Sequence, residues 1–418
     1  DSLRPEGIEQ LQKEFRAIAP LHHPQIAAAY DFGYAGEGRQ PFYTREYVEG
    51  APLAGGPPGH GAPSPPAEFL KPIFDLLDAL HYLHSQDILH LDVHAGNLIV
   101  SKDPERGAVL IDFGLVRPLT GSAPWVLRPL PPSAAPELVR DEEVGPAADI
   151  YSAGRLLLFR LTGNDAGEVK LPREVHGWGA RLTLELERIA AKALHPHPAR
   201  RFHSVEELRR ALRDAVGGAQ GAPRPIEPSE LLLGREAELE AVERALRAAA
   251  AGKAAALWFT GPAGIGKSRL LREARWRAQL RGLDAVEVGF VPGAPGGPSL
   301  PHALRHARER KRKGPAWLAP LDAAHGGSSE ERSRLAAEAY FSTPGPPLVL
   351  LLDDLEHADR ESRLLAEALL GEAGRRRAQG IDGRGLCLLF SSAAAPETRL
   401  QRSSAACVLT RLRPLRPG

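Results

Sequence analysis

One stretch settles the plan of this chain before any element is assigned. Residues 216–230 read VGGAQGAPRPIEPSE. Proline lacks the N–H that helices and sheet ladders need, and glycine adds backbone freedom with no side chain to pack. A segment so rich in both interrupts ordered structure, and it splits the 418 residues as a length of roughly 100–200 residues per domain would predict. The expected domains are residues 1–215 and 231–418, joined by the 216–230 linker. A second such stretch, APLAGGPPGHGAPSPP from Ala51 to Pro66, lies inside the first half between a strand-like YTREYV and a helical segment. It reads as a surface loop. No fixed repeat period is present, which excludes a solenoid.

Composition narrows the class. Hydrophobic residues make up 43% and charged residues 25%, ordinary globular usage that excludes a fibrous or wholly disordered chain. With 53 basic against 52 acidic residues the net charge is +1, so no overall field gathers nucleic acid or anionic lipid. The longest apolar run, around Leu348 to Leu352, is far short of the ~20 residues that span a bilayer, and no charged-then-apolar leader opens the chain. A cytoplasmic location without membrane contact is expected. Cys387 and Cys407 are the two cysteines, too few for a disulfide framework, and read as packing residues of a reducing compartment. The sequence begins at Asp1 and contains no Met, which points to a fragment.

The two halves carry different periodicities. In the first, Ile8, Leu11, Phe15 and Ile18 recur at helical steps, and Phe69 to His84 repeats that spacing. Leu98–Val100 and Ala108–Ile111 then flank SKDPERG and predict a hairpin. In the second, apolar runs at Ala255–Thr260, Ala285–Phe290, Leu348–Leu352, Leu386–Phe390 and Ala406–Thr410 alternate with helical stretches. Such alternation predicts a parallel α/β sheet.

In the first half, HLDVHAGNLIV places Asp92 before Asn97, and the second hairpin strand delivers Asp112 in IDFGL. Phosphoryl transfer needs such a set: a carboxylate to orient the attacking hydroxyl and take its proton, and two oxygen ligands for magnesium on the nucleotide phosphates. Here the sequence resembles the bacterial eukaryotic-type (Hanks-type) serine/threonine protein kinases. The resemblance implies that Asp92 is the catalytic base, with His94 beside it in place of the usual Lys, and that Asn97 and Asp112 hold magnesium. Phe113 and Gly114 complete the DFG motif. Ala135, Pro136 and Glu137 match APE, Asp149 the buried aspartate that braces the catalytic loop, and Arg201 the ion-pair partner of Glu137. Glu14 falls where the family's helix C glutamate sits, and FYTREYVEG resembles the adenine-binding hinge, with Glu46 and Val48 at its hydrogen-bonding positions. The likeness covers roughly residues 1–215. Leu91 stands in place of the family's Arg, Arg45 at the gatekeeper, and RPLPPSAAPE lacks the usual Thr. Residues 1–13 do not supply the Gly-rich loop and strand 3 lysine that should precede Glu14, so a truncated N-lobe with weak or no activity of its own is expected. Two other readings compete: ordinary turn chemistry for Asp92, Asn97 and Asp112, and a metal cluster built on His90, Asp92 and His94.

In the second half, the strand AALWFT enters GPAGIGKSRLLREA. Gly261, Gly264, Gly266, Lys267 and Ser268 give the Walker A pattern: glycines let backbone N–H groups approach phosphates, Lys267 reaches the outer phosphates, Ser268 can ligate magnesium, and the helix N-terminus adds its dipole. LVLLLDDLEHAD ends a strand in Asp353, which would hold magnesium, and Asp354, which would polarise water. A solvated strand-end carboxylate is the plainer reading of the latter. With GREAEL at Gly234–Leu239, these motifs resemble the STAND-class AAA-like ATPases. That class often carries a basic sensor after the strand represented here by LCLLFSS; Ala393–Ala395 offer none, and the chain stops before a helical lid. Binding of nucleotide is therefore better supported than turnover. The run RHARERKRK, Arg305 to Lys313, reads as a solvated helix face, since no aromatic residues interleave it for stacking on nucleic acid.

The expected fold class is thus multidomain, α+β then α/β: a protein-kinase-like fold, with truncated N-lobe and helical C-lobe, followed by a P-loop NTPase parallel sheet. The expected function is transfer of the ATP γ-phosphate to protein hydroxyls, with ATP and Mg2+ as cofactors, protein substrates, and nucleotide-dependent self-association. Alternatives are a pseudokinase scaffold, or a P-loop transcription regulator, in which the ATPase half is the working switch.

Overall fold

The protein's structure, a computed structural model, describes residues 5–36, 40–56, 64–113, 117–118, 133–164, 177–217, 234–291, 299–309, 316–321, 327–381, 383–393 and 407–412. Most of the 216–230 segment, Gly114, residues 128–132 before APE, Ala394 and Ala395, and the second half of the cationic run lie outside the described residues. Backbone contacts divide the chain into two compact units, 1–230 and 231–418. Among the described residues no helix is long and apolar enough to cross a membrane.

The first unit opens with α1 (Pro5–Ile18), an antiparallel pair β1 (Ala29–Ala35) and β2 (Gln40–Arg45), and β3 (Gly50–Pro52). Helices α2 (Pro66–Phe69) and α3 (Lys71–Ser85) follow, then β4 (Ile88–Leu89), β5 (Leu98–Ser101), β6 (Ala108–Leu110) and β7 (Arg117–Pro118). Helices α4 (Pro136–Val139), α5 (Pro146–Thr162), α6 (Ala180–Ala193) and α7 (Val205–Ala215) complete it. The helical spacing of the N-terminal segment becomes α1, whose Phe15 is fully buried between the rings of Phe32, 5.5 Å away, and Tyr43, 6.0 Å away. The predicted hairpin forms with Leu98 opposite Leu110 and Val100 opposite Ala108. The strand read into YTREYV ends at Arg45 instead. Glu46 still donates its amide to the Ala28 carbonyl at 2.8 Å, while its carboxylate accepts from the Ala28 amide at 3.2 Å and pairs with Arg106 at 2.8 Å.

In the second unit, α8 (Glu236–Ala250) leads into β8 (Ala254–Thr260), and α9 (Lys267–Leu280) into β9 (Asp284–Gly289). Helices α10 (Leu300–Glu309) and α11 (Ser329–Ser342), strand β10 (Leu348–Asp353), α12 (Arg360–Ala378), β11 (Leu386–Ser392) and β12 (Cys407–Arg411) follow. All five strands are parallel, in the order β12-β8-β11-β10-β9. Leu348, Leu350 and Leu352 pack toward α11 and α12, while Val349 and Leu351 pack toward α8 and α9. Burial on both faces is why the strand reads as an unbroken apolar run rather than an alternating one. Each such side chain contributes about 1.5–3 kcal/mol relative to exposure. Cys387 lies fully buried in this core, and burial pushes its thiol up to about 12.

The helical lobe of the first unit is pinned by one charged contact. Arg201 donates to both carboxylate oxygens of Glu137, at 2.6 and 2.7 Å, and also to the carbonyls of His195 and Ala147, at 2.8 and 2.7 Å. Both side chains are essentially excluded from water. Deleting one member strands a buried charge, which costs about 3–5 kcal/mol. Arg201→Ala should therefore lower the melting temperature of the first unit on the order of 10 °C, measured by circular dichroism; a shift within error would show that the pair does not hold the lobe.

Candidate functional sites

The backbone from His90 to Asn97, between β4 and β5, takes its shape from Asp149 on α5. That carboxylate is fully buried. It accepts from the His90 and Leu91 amides at 3.0 and 2.8 Å, and from His84 Nε2 at 2.8 Å. Burial alone would raise the Asp149 carboxyl, but the hydrogen bond and charge of His84, with the His90 amide, outweigh it and hold the group below the usual carboxylate range. Leu91 has φ of 63°, a left-handed conformation that costs a non-glycine residue about 1–3 kcal/mol and persists only where the surroundings impose it. Its buried side chain packs with Leu89, Ala135, Leu138 and Ala148. The His90 ring is also fully buried, 5.1 Å from Phe113. Burial keeps it neutral against the pull of Asp149, Asp92 and Asp112. Its Nδ1 accepts from the Asp92 amide at 3.3 Å, which places the ring proton on Nε2.

This geometry brings three sequence-selected side chains together, with a fourth beside the loop. Asn97 donates through Nδ2 to the Asp92 carbonyl at 3.0 Å and to its carboxylate at 3.3 Å. His94 Nε2 stands 3.7 Å from the other Asp92 oxygen, while its Nδ1 accepts from the Gly96 amide at 3.1 Å and caps the short turn Ala95–Asn97. Ile111 N bonds to the Asn97 carbonyl at 3.0 Å, which sets Asp112 beside the loop, within electrostatic range of His90 and Tyr43. A cluster of His90, Asp92 and His94 does not form, because His90 turns inward on Phe113. Among the described residues no three His, Cys, Asp or Glu side chains are grouped to hold a metal ion.

A second constellation sits at the C-terminal end of β8. Gly264 and Gly266 have φ of 78° and 96°, left-handed values that glycine adopts without a Cβ penalty, and Gly266 caps α9. Lys267 is the first residue of that helix. Its ammonium donates to the Gly261 and Pro262 carbonyls at 3.0 and 3.2 Å, and Ser268 is exposed. At the end of β10, the Ser391 hydroxyl donates to Asp353 and accepts from the Asp354 amide at 2.9 Å. Lys267 lies close enough to Asp354 to act on its ionisation. The loop, its lysine and the paired carboxylates thus share one strand-end edge.

Comparison with known proteins finds a family match over each half of the chain. Residues 2–174 match the protein kinase domain family, and residues 231–380 match the AAA ATPase domain family. The chain carries a protein kinase domain followed by an AAA ATPase domain. The serine/threonine-protein kinase PknB of Mycolicibacterium smegmatis is 30% identical over 331 residues, covering 73% of this chain and 51% of that protein. PknB of Mycobacterium leprae is 28% identical over 223 residues, 49% of this chain and 35% of that protein. The chain thus spans about half or less of the length of these relatives. Among solved structures, the kinase domain of Mycobacterium tuberculosis PknI aligns at 25% identity over 51% of this chain and 81% of that one, with a TM-score of 0.40.

Within the kinase domain, Glu14 is buried and accepts from the Tyr43 hydroxyl at 2.6 Å. Burial, and then the Glu14 charge, push that phenol well above its ordinary range. Of the two hinge residues, Glu46 spends its side chain on Ala28 and Arg106, while Val48 is half-buried. Sequence reasoning missed Tyr43, and also Ser133, whose hydroxyl donates to the Val93 carbonyl at 2.9 Å and whose carbonyl accepts from Ser152. In the ATPase domain it missed Ser391 and Arg235. Arg235 is buried and holds the Walker loop by donating to the Ile265 carbonyl at 3.0 Å. The GREAEL motif was the available signal for it.

Asp354 generates a prediction. Its φ is 52°, a conformation Asn also tolerates. Burial first, then Asp353 and Glu356, raise its carboxyl above the usual range against the opposing pull of Lys267. A raised carboxyl keeps its proton in the folded state at pH values where the unfolded chain has lost it, so stability falls as pH rises through that interval. Asp354→Asn removes this loss. The ATPase domain of the variant should melt higher than wild type at about pH 8 and converge with it below about pH 4, where both chains carry a neutral group. Calorimetric melts that coincide at every pH would contradict this.

Proposed function

We propose that the chain acts as a cytoplasmic serine/threonine protein kinase coupled to a STAND-class ATP-binding module, with functional boundaries at 1–215, 216–230 and 231–418. The supporting observation is the grouping of Asp92, His94 and Asn97 on a loop fixed by Asp149, with Asp112 within electrostatic range of His90 on that loop. Asp92 would take the proton of a substrate hydroxyl as its oxygen bonds to the γ-phosphorus and the bond to the β-phosphate oxygen breaks, releasing ADP. His94 Nε2 would donate beside that centre. Asn97 directs its Nδ2 to Asp92, leaving its Oδ1, with the Asp112 carboxylate, suited to hold magnesium. When bound, the ion would supply neutralising charge to the phosphates.

In the ATPase domain, Gly261, Gly264, Gly266 and Lys267 would cradle the phosphates, Ser268 and Asp353 would hold magnesium, and Asp354 would orient water. A second reading is favoured by the Tyr43 bond to Glu14, which commits that carboxylate within the domain: a pseudokinase scaffold with the ATPase domain as the working switch.

Two measurements separate these readings. Asp92→Asn should cut whatever transfer of radiolabelled phosphate to a generic acceptor protein the wild type shows by about 10²–10⁴-fold; equal rates would remove Asp92 from the chemistry and favour the scaffold. Lys267→Ala should weaken ATP binding more than AMP binding, because the ammonium is a point charge for the outer phosphates. Titration of both nucleotides with magnesium tests it, and unchanged ATP affinity would refute the Walker reading.

A further inference from the structure

The second unit contains a cavity far from the Walker loop. It has a volume of about 610 Å³ and opens at the N-terminal ends of β8 and β11, beside the last turns of α12. Its buried floor is Ala256, Leu370 and Leu388. The space exists because small residues, Ala254, Ala373 and Gly374 among them, stand where the sheet meets the helix. Such a size lies within the range of about 300–1,000 Å³ typical of small-molecule sites. β8 runs seven residues from Ala254 to Thr260 before the Walker loop begins, so the cavity and the phosphate loop lie ~20 Å apart at opposite ends of one strand.

The mouth is cationic. Lys253, Arg376, Arg377 and Arg384 line it, with no carboxylate among the described lining residues. Two of the four are held in place. Arg384 donates to the Pro346 carbonyl at 2.8 Å with its guanidinium 4.2 Å above the Tyr340 ring. Arg376 bonds Glu372 at 2.8 Å and Ser342 at 3.0 Å. Lys253 and Arg377 are exposed at the rim. Glu372 is the neighbouring counter-charge, and it is shared between Arg376 and Arg375. Basic residues in the last turn of a helix also complement its dipole, which accounts for Arg375, Arg376 and Arg377. It does not account for Lys253 or Arg384, which approach the same opening from the α8–β8 connection and from the loop before β11.

We propose that this cavity binds an amphipathic organic anion: a carboxylate or phosphate head at the Lys253, Arg377 and Arg384 mouth, with an alkyl or aromatic body against Ala256, Leu370 and Leu388. An apolar body alone would fill the floor and put no negative charge opposite the mouth, and a bare inorganic anion would leave the floor unfilled. Charge and volume together select a ligand with both parts.

The test uses the 418-residue chain saturated with magnesium and ATP, so that the Walker loop is occupied. Octyl phosphate, octanoate and the neutral octanol, each below its micelle concentration, are titrated by calorimetry. One of the two anions should bind with a single equivalent at least about tenfold more tightly than octanol, and the better of them identifies the head group. Lys253→Glu and Arg377→Glu, both at exposed positions, should erase that preference while ATP affinity and the melting temperature stay unchanged. Ala373→Leu, which fills the floor, should abolish binding of the anion. Octanol binding as tightly as the anions, saturation by none of the three, or full anion preference in the folded Lys253→Glu and Arg377→Glu variants would each overturn the proposal.

Discussion

The kinase domain depends on one carboxylate placed where water cannot reach it. Asp149 accepts two backbone amides from a loop 58 and 59 positions earlier in the chain, together with the His84 ring. Without it, two buried donors would be left unsatisfied, at about 1–3 kcal/mol each, and Leu91 would lose the amide bond that helps hold its left-handed conformation. The same helix reaches the loop a second way: Ser152 bonds the Ser133 carbonyl, and Ser133 bonds that of Val93. α5 therefore sets both flanks of the segment carrying Asp92, while the Asp92 carboxylate faces Asn97 and His94. Positioning and chemistry are assigned to different side chains.

The ATPase domain separates the same two tasks by other means. Its Walker loop follows a strand buried on both faces, so the backbone leading into Gly261 is fixed by sheet pairing and core packing together. Arg235 then clamps the loop from outside through Ile265. On the neighbouring strand end, a single hydroxyl, Ser391, spans Asp353 and the backbone of Asp354, and it keeps two adjacent acidic residues in unlike environments. One carboxylate is hydrogen-bonded, and the other sits on a left-handed backbone with a raised carboxyl.

Much of this was legible in the sequence where the signal is local. The apolar runs of the central strands β8, β10 and β11 mark them because a doubly buried parallel strand has no polar face to interrupt it, and the ends of these strands fall within two residues of the runs that announced them. The hairpin holding Asn97 near Asp112 was legible from the turn residues of SKDPERG. The order β12-β8-β11-β10-β9 was not, since it arises from non-local pairing that no single run encodes. The Glu46 ion pair was not legible either, because its partner, Arg106, lies 60 positions away. Tyr43 was invisible for another reason: in a strand a tyrosine is the ordinary packing choice, and only the position of Glu14 in space shows its hydroxyl to be engaged. Ser133 and Ser391 carry the commonest of short hydroxyl side chains, and nothing in their surroundings along the chain marks them.

The Lys267 ammonium already has company. It donates to two carbonyls of its own loop, those of Gly261 and Pro262, so a nucleotide arriving at the proposed Walker site would not meet a bare cation. It must outcompete an internal ligand. Binding then becomes an exchange, in which the lysine surrenders neutral carbonyl oxygens and accepts charged phosphate oxygens, and the net gain is the difference between the two. Charged acceptors hold an ammonium roughly twice as strongly as neutral ones. A molecule whose phosphates stop short of the lysine gains nothing from the swap and leaves the loop latched on itself. Under the proposed Walker reading, this exchange would favour ligands by the reach of their phosphate chain rather than by their base.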